Sequence, residues 1–374
     1  MAHGGPRRVR LRPGRLPHLP SDLHREILLR LPPDQPKLLF RCAAVSKVWR
    51  NIITNAEFLR RYREHHRVPP MIGCVYNYRE RPAAGYVAMI PKLPTPLVPR
   101  LPNDGHGLVA LDSRHGRVLF RRAHWRRTLV LWDPLAAHHE NVSLPAEFPN
   151  ANVNWSAGIL CAAVQPCQHL NCHAEPFSIV FVGITEALAS AYVYSSATRI
   201  WTATASVPPP AAAAAARMKD MATTVVNGNM YFRTDRRAII RYHFVGDAHR
   251  LSYMEAPPAI PGQGDQGTVL VPAAGGRLGF AGLSSSSLVR IWETQVGAAE
   301  AAAAWEEPRS VRLPLPARRL MGSVESTRSL LIGTRTGPGP ISLNLESGKV
   351  KTLPKPKGTT ILIPVMGFCT PGDV

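Results

Sequence analysis

Cysteine is scarce in this sequence of 374 residues. The six present (Cys42, Cys74, Cys161, Cys167, Cys172 and Cys369) are too few and too irregularly spaced for a disulfide scaffold, and suit reduced thiols better. Long apolar runs are missing: none approaches the roughly 18 residues of a membrane helix, and the run around Ser178 ends at Thr185 and Glu186. The Arg-rich start, Met1 to Arg15, has no apolar core and so excludes a secretory signal. Together these absences predict a soluble chain of the cytoplasm, the nucleus or both, with no membrane partner. The triplets Asn141-Val142-Ser143 and Asn154-Trp155-Ser156 then count as chance matches to a glycosylation site.

Acidic side chains are also few, with 25 Asp and Glu against 45 Lys and Arg and a net charge of +20. Such a charge attracts nucleic acid, but no groove-reading motif accompanies it, and about half the excess sits in residues 1–67. Nucleic acid is therefore not the expected partner. Catalytic signatures are lacking too: there is no Gly-x-Ser-x-Gly elbow, phosphate-binding Gly-rich loop with Lys, or His-Glu-x-x-His. Asp112 and His115 have no nucleophile in a recognisable context and read as a polar turn between strands. A non-catalytic chain without cofactor is the expectation.

Proline (36) and glycine (28) are plentiful, favouring short strands joined by turns. Three regions follow from the spacing of apolar residues. Residues 1–15 form a basic tail expected to be disordered, with Arg7, Arg8, Arg10, Arg12 and Arg15 solvated. Residues 16–66 have helical periodicity. Leu19, Leu23, Ile27 and Leu31 recur every four residues, Leu28 widens the stripe, and Pro32-Pro33 stops the helix. A second helix carries Leu38, Leu39, Cys42 and Val45. Ser46 is the expected cap of a third, bearing Trp49, Ile52 and Ile53, and Asn55 of a fourth, with Phe58, Leu59 and Tyr62 on one side and Arg60, Arg61 and Arg63 on the other. Helices this short need a packing partner.

Residues 67–374 read as strands. The runs 107–111, 117–120, 128–132, 177–182, 191–194, 229–232, 238–244 and 288–292 are short, apolar and bounded by turn residues. A looser repeat of strands ending in proline (Val142–Pro145, Ile200–Pro208, Leu251–Pro257, Val311–Pro314, Val350–Pro354) recurs at a spacing suited to five or six propeller blades. Pro208 to Ala216, Ser284 to Ser287 and Gly297 to Ala304 read as loop insertions. Trp132, Trp201 and Trp292 are expected as blade-core anchors. The fold class predicted is α+β multidomain, three or four helices followed by an all-β, propeller-like domain.

In order and spacing, Leu19-Pro20-Ser21-Asp22-Leu23, Glu26-Ile27-Leu28, Arg30-Leu31-Pro32, Leu38-Leu39, Arg41-Cys42, Val45-Ser46-Lys47 and Trp49-Arg50 resemble the F-box. Downstream stretches, among them Leu131-Trp132-Asp133-Pro134 and Gly228-Asn229-Met230-Tyr231-Phe232, resemble the associated domain of plant F-box proteins of the grass type. The resemblance implies a substrate-recognition subunit of a Skp–cullin–F-box ubiquitin ligase. It would dock on a Skp-type adaptor, and through it on cullin, by Leu19, Pro20, Leu23, Ile27, Leu28, Leu38 and Val45. Leu31 and Trp49 would close the segment's own core, and the β-domain would recruit an unknown protein substrate. Two alternatives stay open: a propeller interaction protein acting outside the ligase, or an electrostatic nucleic-acid binder. The one cluster with metal-ligand chemistry is Cys161, Cys167, His169, Cys172 and His173, but its spacing departs from the common zinc patterns, and no metal is expected.

Overall fold

The computed structural model describes residues 20–89, 99–123, 127–146, 148, 154–162, 172, 175–211, 213, 216–235, 237–246, 249–258, 267–294, 305–354 and 358–372. Four helices come first: α1 (Ser21–Leu29), α2 (Lys37–Val45), α3 (Lys47–Ile53) and α4 (Ala56–His66). Both expected caps form. The Ser46 hydroxyl accepts from the Trp49 amide at 3.3 Å, and the Asn55 side-chain oxygen accepts from the Glu57 and Phe58 amides. Leu28, Leu29, Leu39, Ala43, Ile53, Phe58, Leu59 and Tyr62 make the core of this segment, with Leu31 and Trp49 packed against it. Arg63 departs from expectation: it is buried on the same helix as Tyr62 instead of facing solvent with Arg60 and Arg61.

Strands dominate the remaining described residues. The first blade takes β1 (Met71–Tyr78) and β2 (Ala84–Ala88). The second is β3 (Leu108–Arg114), β4 (Arg117–Arg122), β5 (Thr128–Asp133) and β6 (His138–Ser143). The third is β7 (Asn154–Cys161), β8 (Phe177–Ile184), β9 (Ala189–Ser195) and β10 (Ile200–Val207). The fourth is β11 (Thr224–Val226), β12 (Asn229–Arg233), β13 (Ala238–His243) and β14 (Arg250–Glu255). The fifth is β15 (Thr268–Pro272), β16 (Leu278–Ser285), β17 (Leu288–Thr294) and β18 (Arg309–Arg312). The sixth is β19 (Ala317–Val324), β20 (Ser329–Thr334), β21 (Ile341–Asn344) and β22 (Val350–Thr352). The last strand, β23 (Thr359–Met366), returns to pair with β1, so the first blade has the order β2-β1-β23 and the ring is closed by the two ends of the β-region. This is a six-bladed β-propeller.

Side chains alternate across a strand, so each blade has two apolar faces to bury. Along β5, Val130 and Trp132 face the first blade while Leu129 and Leu131 face the third. The domain core is accordingly a ring of six clusters, each shared by two neighbouring blades. Polar side chains join blades as well. Asn77 of β1 donates to the Ala110 carbonyl and accepts from the Ala110 amide, extending backbone-like pairing to the second blade. The indoles of Trp201 and Trp305 donate to the carbonyls of Ser143 and Glu255 on the preceding blades. Trp132 and Trp292 are buried in the clusters; Trp201 is only half-buried against one. The proline-ended repeats coincide with β6, β10, β14, β18 and β22, the outermost strands of the five complete blades. Ser284 to Ser287 is no insertion but the tight hairpin between β16 and β17. Gly297 to Ala304 lies outside the described residues.

Candidate functional site

Two features stand out: an apolar face on the helices and a cavity at one end of the propeller channel. Of the nine large hydrophobic side chains exposed among the described residues, four (Leu23, Ile27, Val45 and Val48) lie on the helical segment. Leu23 and Ile27 are one turn apart on α1 and share a face. Val45 and Val48 flank Ser46, whose cap fixes the corner between α2 and α3. Val45, at 77%, is the most exposed of the nine.

Of the residues expected on an adaptor face, Pro20 is exposed at the start of α1 and Leu38 is half-buried. Leu19 lies outside the described residues. Leu28 is a correction: it is fully buried in the segment's own core, because it sits on the α1 side that meets α3 and α4. Val48 was not singled out in the sequence, although it lies between Val45 and Trp49.

The helices rest on the propeller. Phe368, just past β23, enters the helical core and meets Tyr62 edge-on at 6.2 Å between ring centres, while Phe40 packs against the cluster of the first two blades. Next to this junction opens a cavity of about 620 Å³ lined by Arg63 and Arg67 of the helical segment and by the ends of the six inner strands. At its base Arg114 of β3 donates to Asp112 at 3.0 Å, to the Thr223 hydroxyl at 3.3 Å and to Glu325 at 2.5 Å. Asp112 also accepts from the Ile159 amide and the Thr223 hydroxyl, and Glu325 from the Val225 amide. One guanidinium thus ties together the second, third, fourth and sixth blades. Burial pushes the Glu325 carboxyl above its ordinary range, against the pull of the Arg114 charge. Arg114 is itself disfavoured as a cation by burial, yet Glu325 and Asp112 more than compensate and raise it. The expected polar turn at Asp112 is therefore corrected: Asp112 is a buried strand residue at the hub of this network, and only His115 lies in the turn.

Within the cysteine and histidine cluster, the fold brings Cys161 and Cys172 together with their sulfurs 3.4 Å apart. Cys167, His169 and His173 lie outside the described residues. Among the described residues no group of three metal-ligating side chains gathers. Nor is any helix among them long and apolar enough to cross a membrane.

Residues 16–61 match the family model described as the F-box domain. The chain carries an F-box. Its helices are α1 to α4, and the propeller follows. No curated protein matches the sequence. Solved structures with a general likeness include the SapL1 lectin in complex with alpha methyl fucoside, at 11% identity and a TM-score of 0.40, covering 78% of this chain and 99% of that one. A functionally unknown protein from Desulfotomaculum acetoxidans is similar at 11% identity and a TM-score of 0.38, covering 79% and 99%. The Aleuria aurantia lectin follows at 12% and 0.36, covering 67% and 79%. These scores are too low to carry weight, and the propeller rests on its strand pairing. An F-box joined to a propeller fits, in general terms, a substrate-recognition subunit.

Proposed function

We propose that this chain is the substrate-recognition subunit of a Skp–cullin–F-box ubiquitin ligase, in the manner of the plant F-box proteins it resembles, acting in the cytoplasm, the nucleus or both. The supporting observation is the exposed apolar set Leu23, Ile27, Val45 and Val48 on the F-box, which the helices cannot cover for themselves. Burying such side chains is worth roughly 25 cal/mol per Å², and a second polypeptide, the Skp-type adaptor, is the partner to supply that burial. The chain performs no chemistry in this reading. It supplies proximity, holding a protein target near the ubiquitin-charged enzyme carried by cullin. Because the F-box sits at the end of the channel where the inner strands finish, the opposite face of the ring is left to the target. The net charge of +20 favours an acidic one.

The test is capture of purified Skp-type adaptor by the full chain, compared with a Leu23→Asp, Val45→Asp double variant. Both positions are solvent-exposed, so the variant is expected to melt like the parent while losing binding at least tenfold. Absence of binding by the parent, or equal binding by both, overturns the proposal.

A further inference from the structure

Most connections at the F-box end of the propeller are short; β3 reaches β4 through His115-Gly116 alone. The connection from β7 to β8 is far longer, running from Cys161 to Phe177, and the sulfurs of Cys161 and Cys172 lie 3.4 Å apart. Arg117 holds Cys172 in place. Its Nη1 donates to the Cys172 carbonyl at 3.1 Å, its Nη2 donates to the Glu175 carbonyl at 2.8 Å, and its plane covers the Phe177 ring at 4.8 Å. Both cysteines line the cavity, which gives small solutes a path to them, and Cys161 is the more open of the two. The contrast is Cys74, whose thiol is wholly buried and pushed up to about 12.

We propose that Cys161 and Cys172 are a peroxide-sensitive thiol pair, oxidised to a disulfide that ties the end of β7 to Cys172, ahead of β8. The Cys161 thiolate attacks one oxygen of hydrogen peroxide, the O–O bond breaks, and the departing hydroxide takes a proton to become water. The sulfenic acid left on Cys161 is attacked by the Cys172 sulfur. The S–S bond forms, and the hydroxyl leaves with the Cys172 proton as a second water. Two thiols give up two electrons and the peroxide accepts them. With the sulfurs already in van der Waals contact, the second step needs only a small closing movement.

The experiment exposes the purified full chain to hydrogen peroxide, blocks remaining thiols, and maps peptides without reduction. The expected product is a Cys161–Cys172 cross-linked peptide that dithiothreitol reverses, formed before Cys74 is modified. Melting of the oxidised chain shifts upward, and dithiothreitol abolishes the shift. In Cys161→Ser both the cross-link and the shift are lost. A pair that stays reduced while Cys74 reacts overturns the proposal. So does a dominant bond from either cysteine to Cys167, or stoichiometric zinc in the untreated protein protecting both thiols.

Discussion

Arg114 on the second blade reaches Glu325 on the sixth at 2.5 Å, while its other nitrogen holds Asp112, so one side chain crosses the channel and neutralises two carboxylates. Removing that cation leaves the fully buried Asp112 carboxylate uncompensated and takes the ion-pair partner from Glu325. Arg114→Met is expected to destabilise the propeller by roughly 3–5 kcal/mol, read as a lower midpoint in urea unfolding. Unchanged stability would show that the two carboxylates find other compensation.

The same pair sets a pH dependence. Burial, only partly offset by Arg114, raises the Glu325 carboxyl above its ordinary 4.5, so the folded chain holds that proton more firmly than the unfolded chain. The stability this contributes is full below 4.5 and is lost as pH rises through the raised value. In Glu325→Gln this falling component should vanish. Unfolding free energies of both proteins from pH 4 upward, taken at about half-unit steps, provide the check.

Ring closure depends on the approach of β19 to β23. A β-carbon on Gly322 would lie 2.4 Å from the Leu362 carbonyl oxygen, which belongs to backbone and cannot step aside. Gly322→Val should therefore cost roughly 1–3 kcal/mol, whereas a surface substitution such as Lys349→Ala should be near neutral. Ending the chain before Thr359 removes the inner strand of the first blade altogether. That protein is expected in the insoluble fraction, since β1 loses one of its two partners and its inner edge stands open.

Ser46 holds the corner between Val45 and Val48. Ser46→Ala should cost about 1 kcal/mol through the lost cap, with Ser46→Asp recovering most of it. Thermal melts of the two variants decide this. Weaker adaptor binding by Ser46→Ala alone would tie the cap to the docking face.

The local choices were legible in the sequence. Helix caps, proline stops and strand-length apolar runs are set by nearest neighbours, so Ser46, Asn55 and the strands β3, β4, β5, β8, β9, β12, β13 and β17 could be read directly. The proline-ended repeats marked the ends of the outer strands, because each proline stands just past its strand, where the missing amide interrupts no ladder. What the tertiary structure decided was pairing over distance. Nothing local says that β23 returns to β1, that Asp112, Arg114, Thr223 and Glu325 converge, or that Leu28 turns inward while Val48 faces out. Those outcomes depend on which blade meets which, and alternation along a strand fixes only that two faces must be buried, not what buries them.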